Sequence, residues 1–245
     1  MSAVLAIACL ILFSAFWAVS GRTAMERTMP LAQDRARAAE SRVRPGLERD
    51  LENAGLRFGA PVFMRIFKRE KLLELWMEEE GGRYALFRSY PICTYSGELG
   101  PKQREGDNQA PEGFYRVASG QLNPHSRFHL AFNLGYPNAY DRAHARTGNF
   151  LMVHGSCVSI GCYAMGDDGI EEIYTLAAAA LRGGQTAFEV HAFPFRLERM
   201  DLEAQRNSPW FAFWSELEPA YARFEQDHRL SRIRVVGDHY RIDAR

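Results

Sequence analysis

Three runs of apolar and aromatic residues follow one another between Val62 and Tyr90, and they restrict the chain's fold more than any other feature. Val62–Phe67, Leu72–Met77 and Arg83–Tyr90 are each the length of a strand, separated by charged residues or a Glu-Gly-Gly turn. In the second run Leu73, Leu75 and Met77 fall on one face and Leu72, Glu74 and Trp76 on the other, the period of two that a pleated strand imposes. The pattern predicts a β-meander opening a β-rich domain. With 245 residues, 47% of them hydrophobic, the chain can bury one sizeable core, or one domain with appendages, and has no room for a second enzyme.

After the meander, Thr94 to Gly113 reads as a long loop with four glycines and two prolines, ending in Pro111-Glu112-Gly113 before Phe114-Tyr115. Arg127–Leu134 has strand character, and Gly135–Arg142 is a turn-rich loop. Asp168, with Glu171 three residues on, has the form of a helix start. Ile170, Ile173, Leu176, Ala177, Ala180 and Leu181 then share one helical face, and Gly183-Gly184 ends it. Thr186–Phe193 predicts a strand with Phe188 and Val190 inward and His191 exposed. Ser208–Gln226 predicts an aromatic-rich helix with Pro209 in its first turn, and Arg232–Ile242 a hairpin about Gly237-Asp238.

Residues 3–19 carry no charge, which suits a secretory h-region or a short membrane anchor. Ala18-Val19-Ser20 before Gly21 has the small residues of a cleavage site. Arg22, Arg27, Arg35 and Arg37 follow, and for an uncleaved anchor they would mark the cytoplasmic side. Cys9 after Leu-Ala-Ile-Ala has only a faint lipoprotein character. The polar stretch 24–52 predicts a helical tether or docking helix broken at Pro45-Gly46. The expected organisation is thus 1–20 signal peptide or anchor, 21–57 polar linker, 58–198 catalytic domain, and 199–245 a helix and hairpin packing on it. Lys+Arg and Asp+Glu are equal at 30 each, which gives no electrostatic case for a nucleic-acid partner and leaves membrane contact to the N-terminal segment alone.

The chemistry concentrates in Phe150–Met165. Four apolar residues, Phe150–Val153, predict a buried strand ending on His154-Gly155, and Cys162 follows behind Gly161. A thiol becomes a strong nucleophile as thiolate, and an imidazole within reach makes it so. Spacing does not prove contact, because eight extended residues reach about 27 Å. Packing roles for a buried cysteine and a strand-end histidine stand beside catalysis. A zinc site from His154, Cys157 and Cys162 is a further alternative. Without the leader, Cys93, Cys157 and Cys162 remain, an odd number. A Cys157–Cys162 disulfide would abolish a thiol mechanism, and Cys93–Cys157 would not.

His154-Gly155 followed by Ser159-x-Gly161-Cys162 resembles the signature of the L,D-transpeptidase (YkuD-type) family, and Cys157–Met165 is similar to its YafK-like branch, as is Pro137-Asn-Ala-Tyr140-Asp-Arg142-Ala-His144. The resemblance implies an α+β fold, mainly β with packed helices, built on an L,D-transpeptidase-like β-sandwich catalytic domain. It implies a cysteine L,D-transpeptidase of the periplasm or cell envelope, exported, with peptidoglycan stem peptides as partners. Cys162 would form a thioester with His154 as base and then acid. Backbone N–H groups around Gly161, Cys162 and Tyr163 would hold the oxyanion, while Ser159 steadies the loop. The expected partner of the other His154 nitrogen is the Gly155 or Ser156 carbonyl, with Asp141 behind. Tyr140, Arg142 and His144 would face a carboxylate-bearing peptide, and the 94–113 loop would border the groove. Neither cofactor nor metal is implied.

Two features depart from the family: Ala164 stands where many members carry Arg or Asn two residues after the nucleophile, and the His-to-Cys loop is short. Within the YafK-like branch, water can replace the amine acceptor, giving hydrolysis of amide links at diaminopimelate, including links from protein to peptidoglycan. A non-catalytic peptidoglycan-binding protein is the alternative of another class.

Overall fold

The computed structural model describes residues 35–243; the segment expected to be a leader, with its expected cleavage site and Cys9, lies outside them. The meander forms as β1 (Val62–Phe67), β2 (Leu72–Glu78) and β3 (Tyr84–Pro91). Two later strands, β5 (Gly113–Ala118) and β10 (Ala187–Phe193), complete a sheet of order β3-β2-β1-β10-β5, in which β1 and β10 run parallel. A second sheet has the order β4-β9-β8-β7-β6, from β4 (Thr94–Tyr95), β6 (Leu122–Asn123), β7 (Ala131–Asn133), β8 (Met152–His154) and β9 (Tyr163–Ala164). Helix α3 (Asp167–Arg182) packs on β1 and β10 of the first sheet and on β7 and β8 of the second. Its predicted apolar face does this: Ile170, Ile173, Leu176, Ala177 and Ala180 share one core with Met64, Leu75, Val190, Phe132 and Val153.

The other face of the first sheet is covered as well. Helices α4 (Arg199–Ala204) and α5 (Phe211–Asp227) and the hairpin β11 (Arg232–Val236) with β12 (His239–Asp243) follow β10. Phe67, Phe193, Trp214, Leu217 and Tyr221 form one cluster there, and Phe63, Trp76 and Phe224 another. Covering both faces explains why every residue of β1 is buried. It also overturns the exposure expected of His191, which is 3% exposed and sits edge-on between Phe63 and Phe114. Buried charges on this side are paired: Arg65 donates to Glu74 at 2.7 and 3.0 Å, and Arg196 and Trp76 donate to the same carboxylate.

The polar stretch before the domain is not broken. A helix, α1, runs through residues 35–53 across Pro45-Gly46, and Ala39, Leu47 and Leu51 are in the main core. An interior proline costs about 3 kcal/mol, whereas burying two leucines contributes about 1.5–3 kcal/mol each. Docking therefore offsets the break. Arg42 pairs with Glu171 of α3, and Arg182 with Glu40.

Three further expectations change. Residues 127–130 form a loop because the carbonyls of Ser126 and His129 accept from Arg35 of α1 at 2.8 and 2.9 Å, outside any ladder, so the strand keeps only Ala131–Asn133. Phe150 has φ +54° and is 67% exposed, so the buried strand begins at Met152. Helix α3 starts two residues early, capped by Gly166 at φ +72° with no side-chain cap from Asp168.

The 94–113 loop is anchored at its base. Lys68, fully buried, places its Nζ within 2.9–3.0 Å of the carbonyls of Glu98, Gly100 and Ala110 and of Glu112 Oε1, and its three N–H groups are shared among them. Glu112 in turn accepts from Gly100 N and Trp214 Nε1.

Candidate active site

Strands β8 and β9 pair in parallel, with Val153 opposite Tyr163 and His154 opposite Ala164. Cys162, one residue before β9, therefore lies on the His154 side of the sheet, displaced by two residues. Strand spacing and rise put the two backbones about 8 Å apart, well short of the extended-chain limit. Both side chains line one cleft of about 620 Å³, a size that takes a small peptide.

Each partner is held by its neighbours. His154 is buried, and its Nδ1 lies 2.6 Å from the Gly155 carbonyl oxygen. A carbonyl only accepts, so Nδ1 carries the proton and Nε2 is left with its lone pair. The Phe128 ring lies against the imidazole, centroids 4.8 Å apart. Burial lowers the His154 pKa, against the raising effect of the Gly155 carbonyl. The Cys162 thiol receives the Met152 N–H at 3.4 Å and faces the Phe150 carbonyl at 3.8 Å. Burial pushes its pKa up, partly countered by the Met152 amide and the Lys102 charge. Both shifts favour the uncharged forms, thiol and neutral imidazole.

The loop between them is tied at several points. Ser159 Oγ accepts from Gly161 N at 3.2 Å and Cys162 N at 3.0 Å, and donates to Cys162 O at 2.7 Å. Two of the three amides expected to hold an oxyanion are thus engaged by Ser159, while Tyr163 pairs in the ladder and its hydroxyl donates to Pro111 O. Gly161 has φ +131°, a conformation that side chains disfavour. At Gly155 a Cβ would lie 2.7 Å from Asp167 Oδ1 and 2.8 Å from Phe128 O. Asp167 Oδ1 also receives the Ser156 N–H at 2.7 Å.

The cysteine alternatives resolve. Cys93 and Cys157 form a disulfide, pinning the loop to the β3–β4 connection, and Cys162 is free. Engaging Cys157 removes a ligand from the zinc alternative, and no group of three metal-binding side chains occurs among the described residues.

Other expected site residues lie elsewhere. Tyr140 and Arg142 are on the short helix α2 (Ala139–Ala143), and His144 caps it. Tyr140 is buried, stacked between His144 and Tyr240. Arg142 donates to the Pro137 carbonyl and lines a separate pocket beside the hairpin. Asp141 is not behind His154: it accepts from Arg146, Tyr115 and Asn138 N. The residues that do join Cys162 and His154 in the cleft include Lys102, Arg127, Phe128, Phe150 and Ile160. Sequence alone assigned Arg127 and Phe128 to a strand, and nothing in the sequence marks them as neighbours of the His-Gly pair, which only the fold brings to them. Asp167 was hidden by its neighbour Asp168.

Comparison with known proteins identifies the family. Residues 64–186 match the family described as L,D-transpeptidase catalytic domain, YkuD. The chain is 48% identical over 182 residues to the Escherichia coli K12 protein named "Putative L,D-transpeptidase YafK", covering 74% of each. Among solved structures it is similar to the helical cell shape determining protein Pgp2 of Campylobacter jejuni (K307A mutant), at 19% identity, 71% of each chain and TM-score 0.45. It is also similar to Bd1075 of Bdellovibrio bacteriovorus, at 17% identity, 75% of this chain and 83% of the other, TM-score 0.39.

Proposed function

Because the chain belongs to the YkuD-type L,D-transpeptidase catalytic-domain family, we propose that it is a cell-wall enzyme whose Cys162 takes the acyl group of a peptidoglycan stem peptide as a thioester and passes it to an amine. One observation carries this: the free thiol of Cys162 shares a cleft with His154, whose Nδ1 is held by the Gly155 carbonyl. As Sγ attacks the peptide carbonyl, its proton passes to His154 Nε2 and the S–C bond forms. The C–N bond then breaks, and the leaving amine takes that proton. An acceptor amine attacks the thioester, its proton returns through His154, and the thiol is restored.

The oxyanion of each tetrahedral intermediate draws the Gly161 and Cys162 amides away from Ser159 Oγ, since a bond to an anion is roughly twice as strong as one to a neutral hydroxyl. Ser159, still donating to the Cys162 carbonyl, keeps the turn in place. Water as second nucleophile would give hydrolysis through the same thioester. The Cys93–Cys157 disulfide supports an oxidising compartment, hence the periplasm. Among the described residues no helix is long and apolar enough to cross a membrane.

The test incubates the protein and its Cys162→Ala variant with protein-bearing sacculi and reads products by mass spectrometry. Cys162-dependent amine exchange supports transfer, and Cys162-dependent free carboxylates support hydrolysis. Absence of both, with no thioester adduct at Cys162, would refute the acyl-enzyme.

A further inference from the structure

Resting on the peptide substrate proposed above, we infer that Arg127 forms a carboxylate-binding subsite at the mouth of the Cys162 cleft. The position two residues after the nucleophile cannot deliver a cation here. Ala164 is 0% exposed and sits opposite His154 in the β8–β9 ladder, on the same face as Cys162, and its methyl side chain carries no charge. The cleft holds two permanent cations, Lys102 and Arg127, together with Glu105 and His125. Lys102 is already committed: it is buried, donates to the Arg104 carbonyl at 2.9 Å and pairs with Asp107. Arg127 is exposed, and among the described residues no hydrogen bond, ion pair or ring contact engages its guanidinium.

Its backbone, by contrast, is held on both sides. The Ser126 and His129 carbonyls accept from Arg35, Ser126 Oγ accepts the Phe128 N–H at 3.0 Å, and His129 Nε2 meets Glu171 at 2.7 Å. The next residue, Phe128, packs on the His154 ring. A guanidinium projecting from a fixed loop, one residue from the ring that contacts the base, is placed to fork onto a carboxylate of a peptide whose carbonyl sits at Cys162. Phe150 and Ile160, 67% and 84% exposed, offer the apolar walls that the aliphatic parts of such a peptide would cover.

The experiment reads equilibrium binding, so it does not need turnover. In the Cys162→Ala background, affinity is measured for a diaminopimelate-containing stem tetrapeptide and for versions with each carboxylate converted singly to the amide. Charge-assisted bonds predict that one amidation weakens binding about 10- to 100-fold. Arg127→Ala should bind all versions alike, at the weaker level, and Arg127→Lys should restore part of the preference. Iodoacetamide should alkylate Cys162 in Arg127→Ala at the wild-type rate, showing that the loop and thiol are undisturbed. The same amide discrimination in Arg127→Ala as in the parent, or none in the parent, would overturn the inference. Failure of sacculus processing with the amide preference intact would instead count against the acyl-enzyme reading alone.

Discussion

Replacing Gly155 by alanine tests how tightly the base is set. An added Cβ would lie 2.7 Å from Asp167 Oδ1, 2.8 Å from the Phe128 carbonyl and 3.0 Å from His129 Cβ. Two of these neighbours cannot swing away freely. The 126–129 loop is held by Arg35 and Glu171, and Asp167 Oδ1 holds Ser156 N. Relief therefore requires the backbone at 155 to move by about half an ångström, and overpacking of this kind costs about 1–3 kcal/mol. For a domain of this size that lowers Tm by roughly 2–12 °C. The same movement carries the Gly155 carbonyl that orients His154. If a 1 Å misplacement costs about 100-fold, kcat/KM should fall about 10-fold or more. Gly120, with nothing within 4 Å of a built Cβ, supplies the control, and Gly120→Ala should leave both quantities unchanged. Calorimetry and stem-peptide turnover give the two readouts. Gly155→Ala with wild-type Tm and kcat/KM within twofold would refute the contention that this glycine positions the base.

Other outcomes follow from the same contacts. Burial raises the Cys162 thiol and lowers His154, so the iodoacetamide rate at Cys162 should climb through and above the ordinary thiol range near pH 8.5; a plateau reaching down to pH 5 would indicate a resting ion pair instead. His154 and His191 both have folded pKa values below their ordinary one, so the unfolded chain binds more protons as pH falls below about 6.5, and urea midpoints should drop there; unchanged midpoints at pH 5 would contradict this. Removing the Cys93–Cys157 bridge by double alanine substitution should cost about 2–4 kcal/mol in urea while Cys162 stays alkylable. Lys68→Met should destabilise by about 3–5 kcal/mol because it strands the buried Glu112 carboxylate, and adding Glu112→Leu should recover part of that loss, both read by urea unfolding. Arg142→Ala, outside the cleft, should leave kcat/KM within twofold.

Much of the architecture could be read along the chain because it depends on local periodicity. The meander, the buried face of α3 and the terminal hairpin stand where alternation, a 3.6-residue stripe and a Gly-Asp turn put them. The glycines that flank the two candidate residues are legible in the same way: Gly155 after the strand-end histidine allows close approach, and Gly161 before Cys162 takes a positive φ.

Tertiary contact decided the rest. Nothing near Pro45 announces that Leu47 and Leu51 meet α3's core, and nothing near His191 announces that Phe63 and Phe114 will enclose it. Tyr140, Arg142 and His144 carry polar groups that suit a peptide, yet their helix faces the hairpin, because ring stacking with Tyr240 decides its orientation. The choice among disulfides, which joins residues 64 positions apart, and the meeting of Arg127 with Cys162 in one cleft likewise depend on distant parts of the chain. Periodicity records which face a residue presents. Only packing between distant segments determines what that face meets.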